Sequence, residues 1–370
     1  MNIGKLFYSG CVRIGLAAGC MSLVCGFFQP AQAQTTVALP TVVVLSTGGT
    51  IAGKGGSTTA LSEYKSGSIL GEELVSAVPE IKQYANVRVE QVINVGSPDI
   101  TLDDWLRIAN RINAIFSAEP TVSGVVITHG TNTLEETAYF LNLTVKHDRP
   151  VVLVGSQRPA TAISADGPLN LLSAIRTAAA PVSRGKGVMI VMNDEINGAR
   201  DVTKSNTYRV EAFRSGELGF LGYVDPDAVV FYKASTKRHT ASSEFDVSSI
   251  KQLPRVDIVY SYIEPDVSAV RALENNGAKG IVFAGTGAGG ISKFEKEAVN
   301  AIQKSASQAK PVLVRASRTG NGRVIARVEY DKMGMIPADN LNPQKARILL
   351  MLALTRTTDP KEIRRMFLEY

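Results

Sequence analysis

The chain has 370 residues, 45% of them hydrophobic and 20% charged, with a formal net charge of +6. That length allows two domains and a sizeable core, and the composition is ordinary for a soluble protein. The basic excess is thin, with clusters no longer than Lys237-Arg238 and Arg364-Arg365, so it reads as solvated surface and argues against a nucleic-acid partner.

Lys5 and Arg13 accompany an apolar, small-residue stretch that runs to Phe28, and Ala31-Gln32-Ala33 supplies an A-x-A site. This predicts a secretory signal peptide over 1–33, cleaved after Ala33, and hence a periplasmic protein. "LAAGC", ending at Cys20, offers a lipoprotein signal as a second reading. A membrane anchor is disfavoured because the run is short and broken by glycines. Cys11, Cys20 and Cys25 are the only cysteines and all lie in this segment. The processed chain therefore has no disulfide, thiol nucleophile or thiolate metal site. Loss of Lys5 and Arg13, with no acid beside them, lowers the formal charge from +6 to +4.

Beyond the leader the pattern alternates. Apolar runs predict strands at Val42–Leu45, Val87–Asn94, Gly124–Thr128, Val151–Val154 and Val188–Met192. Helical patterns lie between them at Trp105–Phe116, Leu134–Val145 and Leu169–Ala179, the first opened by a Thr101/Asp104 capping box. Such alternation predicts a doubly wound, mainly parallel α/β domain over 34–232. The polar, Ser/Thr-rich stretch 233–254 reads as a linker. A smaller α/β domain over 255–370 follows, with strands at Asp257–Tyr260, Gly280–Ala284 and Pro311–Val314. Its helices are Val267–Asn275, Ser292–Gln303 and Pro343–Thr355, the last with Asn342 and Pro343 as N-cap and first-turn residue.

In open α/β sheets ligands bind outside the carboxyl ends of strands, and three such ends carry reactive groups. In "TVVVLSTGGTIAGKGG" (41–56), Thr50 follows a strand in a glycine-rich loop, where backbone N–H groups can approach a ligand closely. No Gly-Lys-Ser/Thr ending is present, which excludes a P-loop. In "VVITHGTNTLEETAYF" (125–140), Thr131 stands between His129 and Asn132, and Glu135 and Glu136 open a helix. There the residues Thr131–Thr133 read equally well as a helix cap, with the glutamates serving the dipole. In "NDEINGARDVTKSNT" (193–207), Lys204 lies in a polar loop; partly desolvated, a lysine can serve as the base a threonine nucleophile needs. The three histidines, His129, His147 and His239, are far apart, so neither metal nor cofactor is expected.

"STGGTIAG" (Ser46–Gly53), "THGTNTLEETA" (Thr128–Ala138), "SADGP" (Ser164–Pro168), "ARDVTK" (Ala199–Lys204) and "LNPQKAR" (Leu341–Arg347) occur in this order. Together they resemble the bacterial type II L-asparaginases and the related glutaminase-asparaginases, from about Leu39 to Tyr370. The resemblance implies hydrolysis of asparagine, with glutamine as a second substrate, through an acyl-enzyme on Thr50 assisted by Tyr64. It implies Thr131 as second threonine with Lys204 as its partner. Ser97 and Pro98 would hold the substrate α-carboxylate, Asn132 would face the α-ammonium, and the Gly155 and Ser156 backbone would accept the leaving amide. A homotetramer of two-domain subunits is implied, each site completed by a neighbour.

Four positions depart from the family pattern. Asn132 stands for the usual aspartate, Arg327 for an interface glutamate, Ala288 for a polar interface residue, and Pro98 for a glutamine or glutamate. Glu329, two residues beyond Arg327, is the nearest replacement acid in sequence. These changes keep a catalytically weakened relative, or a periplasmic amino-acid-binding protein, as alternatives. A dinucleotide enzyme is the third rival, because Gly285–Gly290 reads G-x-G-x-x-G, yet no acid ends the next strand where a ribose would be held.

Overall fold

A computed structural model describes residues 38–305 and 310–370; the expected leader lies outside them. The first strand, Thr41–Gly48, is buried from Val42 onward. Successive side chains on a strand point to opposite faces. Val43 and Leu45 enter one core with helices Leu102–Ala118 and Leu134–Thr144, while Val42 and Val44 enter another with helix Gly167–Ala179 and the short helix Gly71–Ser76. A strand covered on both faces must be apolar throughout, which is why this run shows no polar alternation.

The large sheet has eight strands in the order Val229–Phe231, Gly222–Val224, Glu195–Gly198, Val188–Met192, Val151–Val154, Val122–Thr128, Thr41–Gly48, Asn86–Val95. The five strands from Val188–Met192 to Asn86–Val95 pair in parallel. The first strand in sequence lies between the second and the third, so the winding reverses between Thr41–Gly48 and Val122–Thr128. Such a reversal opens a crevice at the strands' carboxyl ends. The three remaining strands are antiparallel additions. They begin with a two-residue hairpin at Asn193-Asp194, with φ of 54° and 59°, a primed turn that asparagine and aspartate tolerate.

The smaller sheet is wholly parallel: Val256–Tyr260, Gly280–Gly285, Val312–Ser317, Met335–Pro337. Helix Pro343–Ala353 starts as predicted, the Asn342 side chain accepting from the Lys345 N–H. Ile348 to Ala353 are all buried, and the helix shares one core with helix Leu134–Thr144 and with Val256, Val282 and Val314. The two sheets therefore pack through this helix. Residues 233–254 are polar in sequence but not loose. Phe245, Val247 and Leu253 are buried in that same core, and the Ser243 hydroxyl donates to the Leu143 carbonyl.

Candidate active site

Gly48 and Gly49, with φ of 98° and 82°, turn the chain out of the first strand into the single 3-10 turn Thr50–Ala52. A Cβ on Gly49 would come within 2.3 Å of the Gly130 backbone, so only glycine lets the two loops touch. Thr50 is buried, and its hydroxyl oxygen lies 2.7 Å from that of Tyr64. Tyr64 arrives on a two-residue ladder, Tyr64–Lys65 against Lys54–Gly55. A Cβ on Gly53 would reach within 2.8 Å of the Tyr64 ring, so that glycine makes room for it. Bonds from Ser68 N to Ala52 O at 2.7 Å and from Gly67 N to Gly49 O at 3.2 Å fasten the end of this loop.

Thr131 occupies the neighbouring loop, between strand Val122–Thr128 and helix Leu134–Thr144. Its hydroxyl is not a helix cap: Lys204 Nζ donates to it at 2.8 Å and to Asn132 Oδ1 at 3.3 Å. Thr133 holds the N-cap position yet makes no side-chain cap; its hydroxyl donates to the Ser97 carbonyl at 2.8 Å. Ser97 Oγ in turn accepts from the Asn132 N–H at 3.1 Å. Lys204 is half-buried, and loss of water lowers its pKa below the ordinary lysine value. As an ammonium it donates to Thr131; as an amine it can take the Thr131 proton.

The Thr50, Tyr64, Thr131, Asn132, Ser97 and Lys204 positions thus come from five segments and meet at the winding reversal. Gly155 joins them, since a Cβ there would lie 3.0 Å from Thr131 Cγ2. Its carbonyl accepts from Asn170 Nδ2 at 3.1 Å, and the buried Ser156 hydroxyl donates its proton to Arg158 O at 2.6 Å. Pro98 sits exposed in the short turn Ser97–Asp99 and brings no N–H of its own.

Two residues near this cluster carry roles that sequence patterns miss. His129 is fully buried and ends a relay: Trp105 Nε1 to Thr137 Oγ1 at 2.8 Å, Thr137 Oγ1 to His129 Nε2 at 2.9 Å, His129 Nδ1 to Gly130 O at 2.7 Å. A carbonyl only accepts, so Nδ1 carries the proton and Nε2 accepts from Thr137. Burial pushes this imidazole down to about 4, and it is neutral. Glu135 looks like a dipole-complementing acid in the first helical turn. It is instead buried and turned to the segment carrying Lys204, accepting from Thr203 Oγ1 at 2.8 Å and from Lys204 N at 3.2 Å.

Arg327 is the residue before helix Val328–Lys332, and Glu329 on that helix pairs with Lys296 at 2.5 Å. Among the described residues, no hydrogen bond or ion pair joins a carboxylate to the Asn132 side chain or to Lys204 Nζ. The G-x-G-x-x-G loop is closed on itself. Thr286 N donates to Gly290 O at 2.8 Å, Gly290 N to Thr286 O at 2.7 Å, and the buried Arg315 holds Gly289 O at 2.8 Å. Helix Lys293–Lys304 beyond it is capped by its own Ser292/Glu295 box. Among the described residues, no three His, Cys, Asp or Glu side chains cluster so as to hold a metal, and no helix is long and apolar enough to cross a membrane.

Comparison with known proteins gives one consistent result. Residues 41–237 match a family model described as asparaginase, N-terminal, and 255–367 match the glutaminase/asparaginase C-terminal domain. The chain is 49% identical over 341 residues to L-asparaginase 2 of Bacillus subtilis, covering 92% of this chain and 89% of that protein. It is 45% identical to the glutaminase-asparaginase of Pseudomonas fluorescens, covering 95% and 97%. The crystal structure of a probable cytoplasmic L-asparaginase from Campylobacter jejuni superposes with a TM-score of 0.86 at 46% identity, over 90% of this chain and all of that one.

Proposed function

The chain belongs to the asparaginase family and is an amidohydrolase, and on that premise we propose that it hydrolyses L-asparagine through an ester on Thr50. The Thr50 oxygen attacks the side-chain amide carbon while its proton passes to a neighbouring base. The C–N bond breaks, and the departing nitrogen takes up a proton and leaves as ammonia. Water then attacks the ester carbon, releasing aspartate and restoring the hydroxyl. Tyr64 is the polar group beside the nucleophile, and the Thr131–Lys204 pair is the proton relay. Ser97 and Asn132 face the amino-acid end of the substrate, and the Gly155–Ser156 backbone receives the amide.

One observation carries this reading. Two threonine hydroxyls on adjacent loops of the reversal crevice each have a partner that can move a proton, Tyr64 at 2.7 Å and Lys204 at 2.8 Å. The test is Thr50→Ala. We expect a folded protein whose ammonia release from asparagine falls by about 10⁴-fold or more, as loss of a covalent nucleophile does. Near-normal turnover would sink the assignment and shift it to Thr131. The 45% identity to a probable periplasmic L-asparaginase of Haemophilus influenzae and the A-x-A sequence also support export, with a mature protein beginning at Gln34. An intact Met1 in the mass of the native protein would contradict that. A homotetramer with glutamine as a second substrate completes the reading, tested by light scattering and by ammonia release from glutamine.

A further inference from the structure

Lys204 holds Thr131 through a flexible four-carbon stem, and a free lysine side chain gives up considerable rotamer entropy when it is fixed. Its placement therefore depends on how firmly its own backbone is held. That backbone lies in a two-residue ladder, Thr203–Lys204 against Phe213–Arg214, too short to define a position by itself.

We propose that Glu135 and Lys345 form a buried clamp that positions Lys204 for its contact with Thr131, a role that rests on the reading of that pair given above. The two side chains grip consecutive groups of one stretch of chain. Lys345 Nζ donates to Arg200 O at 2.9 Å and to Val202 O. Glu135 Oε1 then takes the next two donors, the Thr203 hydroxyl at 2.8 Å and the Lys204 N–H at 3.2 Å. The other oxygen, Oε2, accepts from Asn342 Nδ2 at 3.1 Å and Gln344 Nε2 at 3.4 Å, and lies 3.9 Å from Lys345 Nζ.

Both residues are buried, Glu135 at 6% and Lys345 at 1% exposure, and an unpaired charge so placed is costly. The carboxylate's roughly four lone-pair sites meet four hydrogen-bond donors. Burial pushes Lys345 down to about 8, so the ammonium is retained at neutral pH by the groups it holds. Glu135 starts the helix that follows Thr131, whereas Asn342, Gln344 and Lys345 start helix Pro343–Ala353 of the smaller domain. The clamp therefore ties the Lys204 segment and the helix after Thr131 to that domain. Glu135 touches no reacting atom and acts only through Lys204.

The test compares Lys204→Met, Glu135→Gln and Thr203→Val, with kcat, KM and the pH profile of kcat read by ammonia release. Glutamine turns one oxygen into an NH2 that must face two donors, leaving them unpaired. We expect Glu135→Gln to lower kcat by about tenfold to hundredfold with KM within about threefold. The acid limb of the profile should move to higher pH, because a loosened Lys204 regains water and its pKa rises. Thr203→Val, which removes one bond beside a part-exposed residue, should do the same more weakly, by about threefold, and it decides the matter if Glu135→Gln does not fold. A dead Lys204→Met with unchanged kcat and an unmoved limb in the other two overturns the clamp. So does a kcat loss that only matches a smaller folded fraction. An active Lys204→Met overturns instead the reading on which the clamp rests.

Discussion

Two loops in this molecule stand in the same topological place, each between a parallel strand and the helix after it. In the large domain, Thr128 to Leu134 leads from strand to helix; in the small domain, Gly285 to Lys293 does. The first carries three threonines and one glycine, the second four glycines and one threonine. In the first, side chains reach across segments: Thr131 and Asn132 meet Lys204, and Thr133 meets the Ser97 carbonyl. In the second, Thr286 and Gly290 satisfy each other's backbone and Arg315 takes the carbonyl of Gly289. A glycine pattern therefore describes how tightly a chain turns, and reactivity depends on a hydroxyl facing a desolvated base.

The strongest way to break that contrast is to remove the base. Lys204→Met keeps the stem and loses the amine, so Thr131 should be left without a proton acceptor. The expected loss in kcat is about 10²- to 10⁴-fold, the range for a positioned acid–base group. Steady-state ammonia release measures it, and a loss below about threefold would reduce Lys204 to packing.

Much of this contrast was legible in the residues themselves. The alternating apolar runs located the sheets because buried parallel strands tolerate little else. Thr50, Thr131 and Lys204 could be picked out because each follows a strand. What sequence did not reveal were groups whose local reading is complete without any partner. Glu135 satisfies the helix dipole on paper, yet its partners are 68 to 209 residues away. The tautomer of His129 only emerges once Trp105 and Thr137 stand beside it. The Asn193-Asp194 hairpin was hidden in a polar stretch, because short antiparallel additions at a sheet margin carry little hydrophobic period.

Acid should separate the two loops. The first is held by a neutral buried histidine, the second by Arg315, which stays charged across the accessible range. His129 has a pKa near 4 in the fold against about 6.5 in the unfolded chain. A depressed value means that the unfolded chain binds the extra proton between those limits. The histidine's contribution is thus fully present above about pH 6.5 and is lost as pH falls through 4, amounting to about 3 kcal/mol. We expect thermal stability to fall over that window. Amide exchange should open first around Gly130 and Thr131, with Thr286 and Gly290 still protected. Equal opening of both loops, or a nitrogen spectrum showing the Nε2–H tautomer at neutral pH, would contradict the relay.

The finest distinction concerns Asn132, at the position where the motif resemblance implies an aspartate. A substrate ammonium leaving water needs a negative partner, and charge-assisted hydrogen bonds are roughly twice as strong as neutral ones. Asn132 offers a neutral oxygen that already accepts from Lys204 at 3.3 Å. Glu329, the nearest replacement acid in sequence, is engaged with Lys296. Asn132→Asp should therefore lower KM for asparagine, by about threefold to tenfold, through the restored charge. The same carboxylate would face the Lys204 ammonium and favour its protonated form, raising its pKa. The acid limb of kcat should then move to higher pH while KM falls, so that the gain in binding is partly lost in turnover below neutrality. Asn132→Ala should raise KM without moving that limb upward. If KM is unchanged in both variants, this position does not meet the ammonium. If KM rises in Asn132→Asp, a second acid already serves the ammonium and two carboxylates share one site, one of them protonated.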